Sequence, residues 1–239
     1  MPSTPPSEHV RLEDKPHSPV TLLGVPKHML EDGAHIVVSP IYIRTRDLAY
    51  LLPLTAASAT AFATDTHTMR DVVSHNPGFN QTAINISDAV RYSFMAAPAG
   101  MFAWGQLKGD EHARETGILA SQAWVEAYIV GDVVKLASFR ERPTEDNARG
   151  NFFIGSSGAD SSFISGHALV AWSSAAVIAE EYRSPWARLG VYTAATGVSV
   201  TRVLGQQHFP SDVLIGSAAG WLIGHYVYRA HHHFSQTKR

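Results

Sequence analysis

Three short stretches of this chain bring together side chains that suit the handling of an oxyanion. Lys135 is followed, after six intervening residues, by Arg142-Pro143, a point charge and a planar fork that can each hold an anionic oxygen. Ser162-Phe163-Ile164-Ser165-Gly166-His167 stands where a loop turns into a helix. Free backbone N–H groups and the positive end of the helix dipole favour an anion there, and Gly166 lets the backbone come close to it. The third stretch is Thr201-Arg202, then His208 after five residues, then Asp212 after three more. A histidine and an aspartate four apart, at a helix start marked by Pro210, let the carboxylate reach one ring nitrogen. That fixes the tautomer and leaves the other nitrogen free as nucleophile or base.

Each stretch also has an ordinary structural reading. Lys135 and Arg142 suit a solvated helix end, Ser165 an N-cap with His167 on the surface, and Ser211 or Asp212 a cap beside a packed His208. The elements around them are helical in pattern. Asp47 can cap a helix from Leu48 to about Ala63, and Ser87-Asp88 another that carries Pro98 and runs to about Leu107. Glu111 to Phe139 keeps apolar residues at helical spacing, with Lys135 near its end. Arg140 to Phe163 reads as a long loop, which in a compact domain is functional or disordered. Helices follow from Gly166 to about Tyr182, from Ser184-Pro185 to about Val203, and from Pro210-Ser211 into the run His231, His232, His233. Gly216, Gly220 and Gly224 lie four apart, a smooth stripe that lets another helix approach closely. The fold class is all-α: a bundle of about six helices over residues 47–233, an extended leader over 1–46 and a polar tail over 234–239. Ile36-Val37-Val38 and Ile41-Tyr42-Ile43 in the leader read as short strands or packed coil.

The chain has 239 residues, 45% of them hydrophobic, enough for one large core. Its 19 Lys+Arg against 21 Asp+Glu leave no electrostatic footprint for nucleic acid, so any anion site is a local cluster. The absence of cysteine removes disulfides, thiolate chemistry and Cys-based zinc sites. Met1 to Asp14 is polar, with no apolar run behind a basic start. Leu48–Thr64, Tyr92–Leu107 and Val213–Tyr228 are uncharged, or nearly so, but fall just short of the roughly 18 residues a spanning helix needs. They read as buried core helices, so membrane association is not favoured. The terminal histidines read as a solvated helix end, and the tryptophans at 104, 124, 172, 186 and 221 as core or rim aromatics.

Together the three stretches resemble a known pattern. The superfamily of type 2 phosphatidic-acid phosphatases, class A bacterial non-specific acid phosphatases and vanadium-dependent haloperoxidases carries Lys, six residues, Arg-Pro; then Pro-Ser-Gly-His; then Ser-Arg, five residues, His, three residues, Asp. Here Thr201 replaces the serine and Ile164 the proline, while Ser165-Gly166-His167 are kept. The resemblance implies a phosphatase of small or lipid phosphate monoesters that needs no metal or other cofactor, with vanadate able to occupy the phosphate site. It implies His208 as the nucleophile that forms a phosphohistidine, Asp212 as its orienting group and His167 as general acid. Lys135, Arg142, Ser165, Gly166 and Arg202 become the phosphate-binding set. It also implies a periplasmic or secreted location, with membrane association second. A haloperoxidase would use the same residues for vanadate, but those enzymes are generally much larger; a silent anion-binding scaffold is the reading outside enzymology. Asp71 to Asn85 and Glu141 to Phe163 are the expected walls of the entrance.

Overall fold

The computed structural model describes residues 20–38, 44–154 and 160–232. Within them lie seven α-helices and no strand: α1 Val25–Val38, α2 Leu48–His67, α3 Pro77–Lys108, α4 Glu111–Ser138, α5 Gly166–Glu181, α6 Pro185–Leu204 and α7 Pro210–His231. The all-α reading and the later helix boundaries agree with the sequence analysis within a few residues.

The differences lie earlier in the chain. Part of the leader is helical rather than extended, because Pro26 falls in the first turn of α1, where a missing N–H costs nothing. Ile36-Val37-Val38, read as a strand or packed coil, is instead the last turn of that helix. Ile41-Tyr42-Ile43 and the tail 234–239 lie outside the described residues. Helix α3 starts ten residues before the Ser87 signal. Asn76 is its N-cap, accepting from Phe79 N, and Pro77 stands at the first helical position. Most of the Asp71 to Asn85 wall is thus helix, preceded by a π turn over Thr68–Val72.

Helix α5 is the axis. Alanine, serine and glycine occupy much of its surface, and Ala168 to Ala171 and Ser173 to Val177 are buried, so α3, α4, α6 and α7 can all pack against it. The glycine stripe of α7 makes the closest approach. A Cβ on Gly216, Gly220 or Gly224 would stand 2.8, 2.3 and 2.2 Å from the carbonyl oxygens of Ser165, Leu169 and Ser173. These contacts step in register, so α5 and α7 run parallel. The ends of α4 and α6 and the starts of α5 and α7 consequently share one end of the bundle.

Of the three apolar segments, only Val213–Tyr228 is core. Helices α2 and α3 form an outer layer with Tyr50, Leu52, Tyr92, Trp104 and Leu107 exposed, because no described element covers them. Trp104 and Trp186 are exposed rather than packed. Among the described residues no helix is long and apolar enough to cross a membrane. The end of α7 is not a solvated terminus either. His231 is buried against α1, where Asp32 lies 2.7 Å from its Nε2 and also accepts from Gln122. Burial pushes the neighbouring Glu126 carboxyl up to about 8.

The glycine stripe gives a stability test. Gly224→Val must push two backbones apart and is expected to cost about 3 kcal/mol or more. Gly190→Ala on α6, where a Cβ meets nothing within 4 Å, is expected to stabilise by about 0.5–1 kcal/mol through the unfolded state. Chemical denaturation of both variants checks the pair; equal effects would contradict the packing.

Candidate active site

His208 is 1% exposed, in the turn between α6 and α7. Its Nδ1 lies 2.7 Å from the carbonyl oxygen of Ser162. A carbonyl only accepts, so Nδ1 carries the proton and the lone pair of the neutral ring is on Nε2. Asp212 does not make this bond. Its Oδ2 stands 3.8 Å from Nδ1, beyond hydrogen-bond reach, so the direct carboxylate contact expected from the four-residue spacing is replaced by a backbone carbonyl. Asp212 works one step back. Oδ2 accepts from the Ser162 hydroxyl at 2.6 Å and from Phe209 N at 2.9 Å, pinning the segments on both sides of the imidazole.

The other oxygen of Asp212 accepts from Arg140, a residue the sequence reading left in the loop. The buried guanidinium also donates to Asp65 Oδ2 at 2.7 Å, Ser211 Oγ at 2.8 Å and the Gly150 carbonyl at 3.2 Å. Phe62, Phe152 and Phe209 place their rings 5.1, 4.9 and 4.3 Å from it. Burial alone would raise the Asp212 carboxyl, but His208, Arg140 and Ser162 outweigh it and hold it below the usual range. His208 is pushed down to about 4, first by burial, with Asp212 opposing and Arg202 and Arg142 adding to it. The imidazole is therefore neutral at ordinary pH, the form that can act as a nucleophile.

The three predicted cations converge. The Lys135 ammonium lies 4.0 Å from where a Cβ on Gly166 would stand, which joins the end of α4 to the start of α5. Arg142 donates to the Asp160 and Gln207 carbonyls at 2.9 and 3.0 Å. Arg202 donates to Ser87 Oγ at 3.2 Å and Asp88 Oδ1 at 3.4 Å. The side-chain oxygen of Gln207 lies within 3.4 Å of Arg202 and 3.5 Å of Arg142, bridging the two. Burial lowers Lys135, and the nearby Arg142 lowers it further; Arg202 is pushed down to about 10 by burial, against the pull of Asp88. Cations that depress one another's charge in this way are an electrostatic receptor for an anion.

Ser165 is the N-cap of α5, accepting from Ala168 N at 3.5 Å, and its own N–H donates to the Asp212 carbonyl at 3.2 Å. Gly166 opens the helix. His167 stands in the first turn with Nε2 2.6 Å from Asp88 Oδ1. Burial and then the positive charge of Arg202 and Arg91 push His167 down to about 2. Asp88, Ser87, Arg140, Asp65 and Gln207 are the members that sequence reasoning missed. Ser87-Asp88 carried a signal but was read as a helix cap; Asp65 had none.

This end of the bundle therefore holds a neutral histidine with an available Nε2, three converging cations, a helix N-terminus and a second histidine beside a carboxylate. That set suits in-line attack on a tetrahedral oxyanion, with charge stabilisation and proton transfer to a leaving group. The chain is similar to known proteins. The family model of the PAP2 superfamily matches residues 117–236, a range containing Lys135, Arg142, Ser165 to His167, Arg202, His208 and Asp212. The lipid A 1-phosphatase of Porphyromonas gingivalis is 39% identical over 72 residues, which is 29% of this chain and 16% of that protein. The chain thus matches only a small part of that relative's length. A transmembrane PAP2-type phosphatidylglycerolphosphate phosphatase of Bacillus subtilis, solved by crystallography, aligns at 19% identity over 87% of this chain and 94% of its own, with a TM-score of 0.49.

Arg140→Leu is expected to destabilise the fold by about 3–5 kcal/mol, since it leaves two buried carboxylates without their cation. Urea denaturation measures this, and a loss below about 1 kcal/mol would contradict the network.

Proposed function

Because the chain belongs to the PAP2 superfamily, we propose that it is a phosphatase of phosphate monoesters, lipid phosphates foremost, working through a phosphohistidine on His208 and without a metal ion. The observation that carries this reading is the His208 tautomer. The Ser162 carbonyl holds the proton on Nδ1, so Nε2 is available to attack phosphorus among Lys135, Arg142 and Arg202. The P–O bond to the ester oxygen breaks as the N–P bond forms, and the departing alkoxide takes a proton from His167. In the free site His167 is held neutral; the incoming phosphate adds negative charge, and with Asp88 at 2.6 Å this favours the imidazolium needed to donate. A water molecule then attacks phosphorus, passing its proton to His167, and the N–P bond breaks to release inorganic phosphate and neutral His208. Ser165 and the Gly166 N–H add donors to the phosphoryl oxygens.

Two features support a lipid substrate. The name of the similar Porphyromonas gingivalis protein is that of a phosphatase of a lipid. At the end of the bundle carrying the site, Val72, Phe79, Phe153 and Ile154 are exposed, Phe153 by 75%, an apolar rim suited to an acyl surface. A location on the outer side of the cytoplasmic membrane goes with this reading.

Hydrolysis of p-nitrophenyl phosphate and of a lipid phosphate in EDTA tests the proposal. Wild type is expected to keep its rate in the chelator, His208→Ala to fall to background, and His167→Ala to lose about 10²–10⁴-fold. Orthovanadate is expected to inhibit. Because His208 gains a proton only below about pH 4, its acid limb in kcat/KM lies there rather than near the ordinary histidine value of about 6.5. Activity that survives His208→Ala, or that disappears in EDTA, overturns the reading.

A further inference from the structure

The end of the bundle opposite the site carries a second cluster of ionisable groups that phosphoryl transfer does not use. Glu115 and His112 belong to the first turns of α4, Glu181 closes α5, and His232 follows α7. Both carboxylates are buried. His232 Nδ1 lies 3.0 Å from Glu181 Oε1 and 3.3 Å from Glu115 Oε1, and His112 Nε2 lies 3.0 Å from the second oxygen of Glu181. One donor atom each from Glu115, Glu181 and His232 falls within 4.8 Å of the others. We propose that Glu115, Glu181 and His232 bind one divalent cation of the Zn²⁺ class, with His112 holding Glu181 in place.

The geometry suits such an ion. Nitrogen and oxygen ligands stand about 2.0–2.2 Å from zinc, so the edges of its tetrahedron are about 3.3–3.5 Å. The two separations from His232, 3.0 and 3.3 Å, need adjustments of only a few tenths of an ångström, and the two carboxylates lie within 4.8 Å of each other. Two carboxylates match the charge of a divalent ion. The carbonyl ends of α5 and α7 both face the cluster and favour positive charge, while Arg183, two residues beyond Glu181, is exposed. The imidazoles are held before any ion arrives: His232 stacks on Tyr228 with centroids 4.5 Å apart, and His112 packs against Tyr182 at 4.7 Å. Mixed imidazole and carboxylate donors select zinc-like ions over calcium, which takes oxygen alone. The ion would tie the ends of three helices, and α7, 22 residues long, separates it from His208 by about 30 Å. Its role is structural, and it stands apart from the phosphatase reading.

The test uses the full chain stripped by chelator and then dialysed against ZnCl2 or CaCl2, with bound metal measured by elemental analysis and unfolding followed thermally. Wild type is expected to bind one zinc per chain and to unfold several degrees higher with zinc but not with calcium. The double variant Glu115→Gln, Glu181→Gln keeps the shape of both side chains and relieves their repulsion, so it should fold and lose both the bound zinc and the shift. No stoichiometric zinc in wild type, an unchanged response in the double variant, or equal stabilisation by calcium would overturn the proposal. Phosphatase activity plays no part in these readings, so their failure and that of the proposed catalysis are separable.

Discussion

The buried guanidinium of Arg140 is the constraint on which the rest of the structure depends. It joins Asp65 at the end of α2, Ser211 and Asp212 at the start of α7, and the Gly150 loop, inside a cage of three phenylalanine rings. Taking one cation and two carboxylates out of water is unfavourable unless each partner is saturated with hydrogen bonds. That requirement leaves little freedom in how α2, α7 and the loop meet. Asp212 passes the constraint on through Ser162, whose hydroxyl donates to the carboxylate and whose carbonyl accepts from His208. The tautomer of His208 is thus set by a chain of contacts that begins at Arg140.

The opposite side of the site is built from cations. Lys135, Arg142 and Arg202 lie close enough to act on one another, and Asp88 accepts from Arg202 and meets His167. Under the proposed function a phosphate entering there would relieve repulsion already present, so binding and the rise in His167 basicity would have the same electrostatic source. The parallel packing of α5 on the glycine stripe of α7 is what brings the two halves together, since it sets the His167 turn beside the His208 turn at one end.

Much of this was legible in the sequence, for identifiable reasons. Helices α4 to α7 carry strong caps, proline starts and helical spacing, and the spacings of Lys135, Arg142, Arg202, His208 and Asp212 single out residues that the fold brings to one end of the bundle. What escaped was long-range or ambiguous. Asp88 follows Ser87 as a cap would, so its place in the middle of α3 depends on the better start at Asn76-Pro77. Arg140 sits in a charged run where solvation is the default, and only the fold reveals that it pairs with residues 75 and 72 positions away. The direct His208 to Asp212 contact failed because a backbone carbonyl lay nearer than the carboxylate. Helices α2 and α3 were read as buried because composition reports apolar content and not whether another layer covers it.

The central claim is that phosphorus becomes bonded to His208 during turnover. Rapid mixing of the protein with substrate, quenching in alkaline denaturant to preserve an acid-labile N–P bond, and peptide mass mapping would read it directly. The expected result is a phosphoryl group on the peptide carrying His208, formed within the first turnover and decaying as substrate is spent. A phosphoryl group on another residue, or none while product forms in a burst, would contradict it.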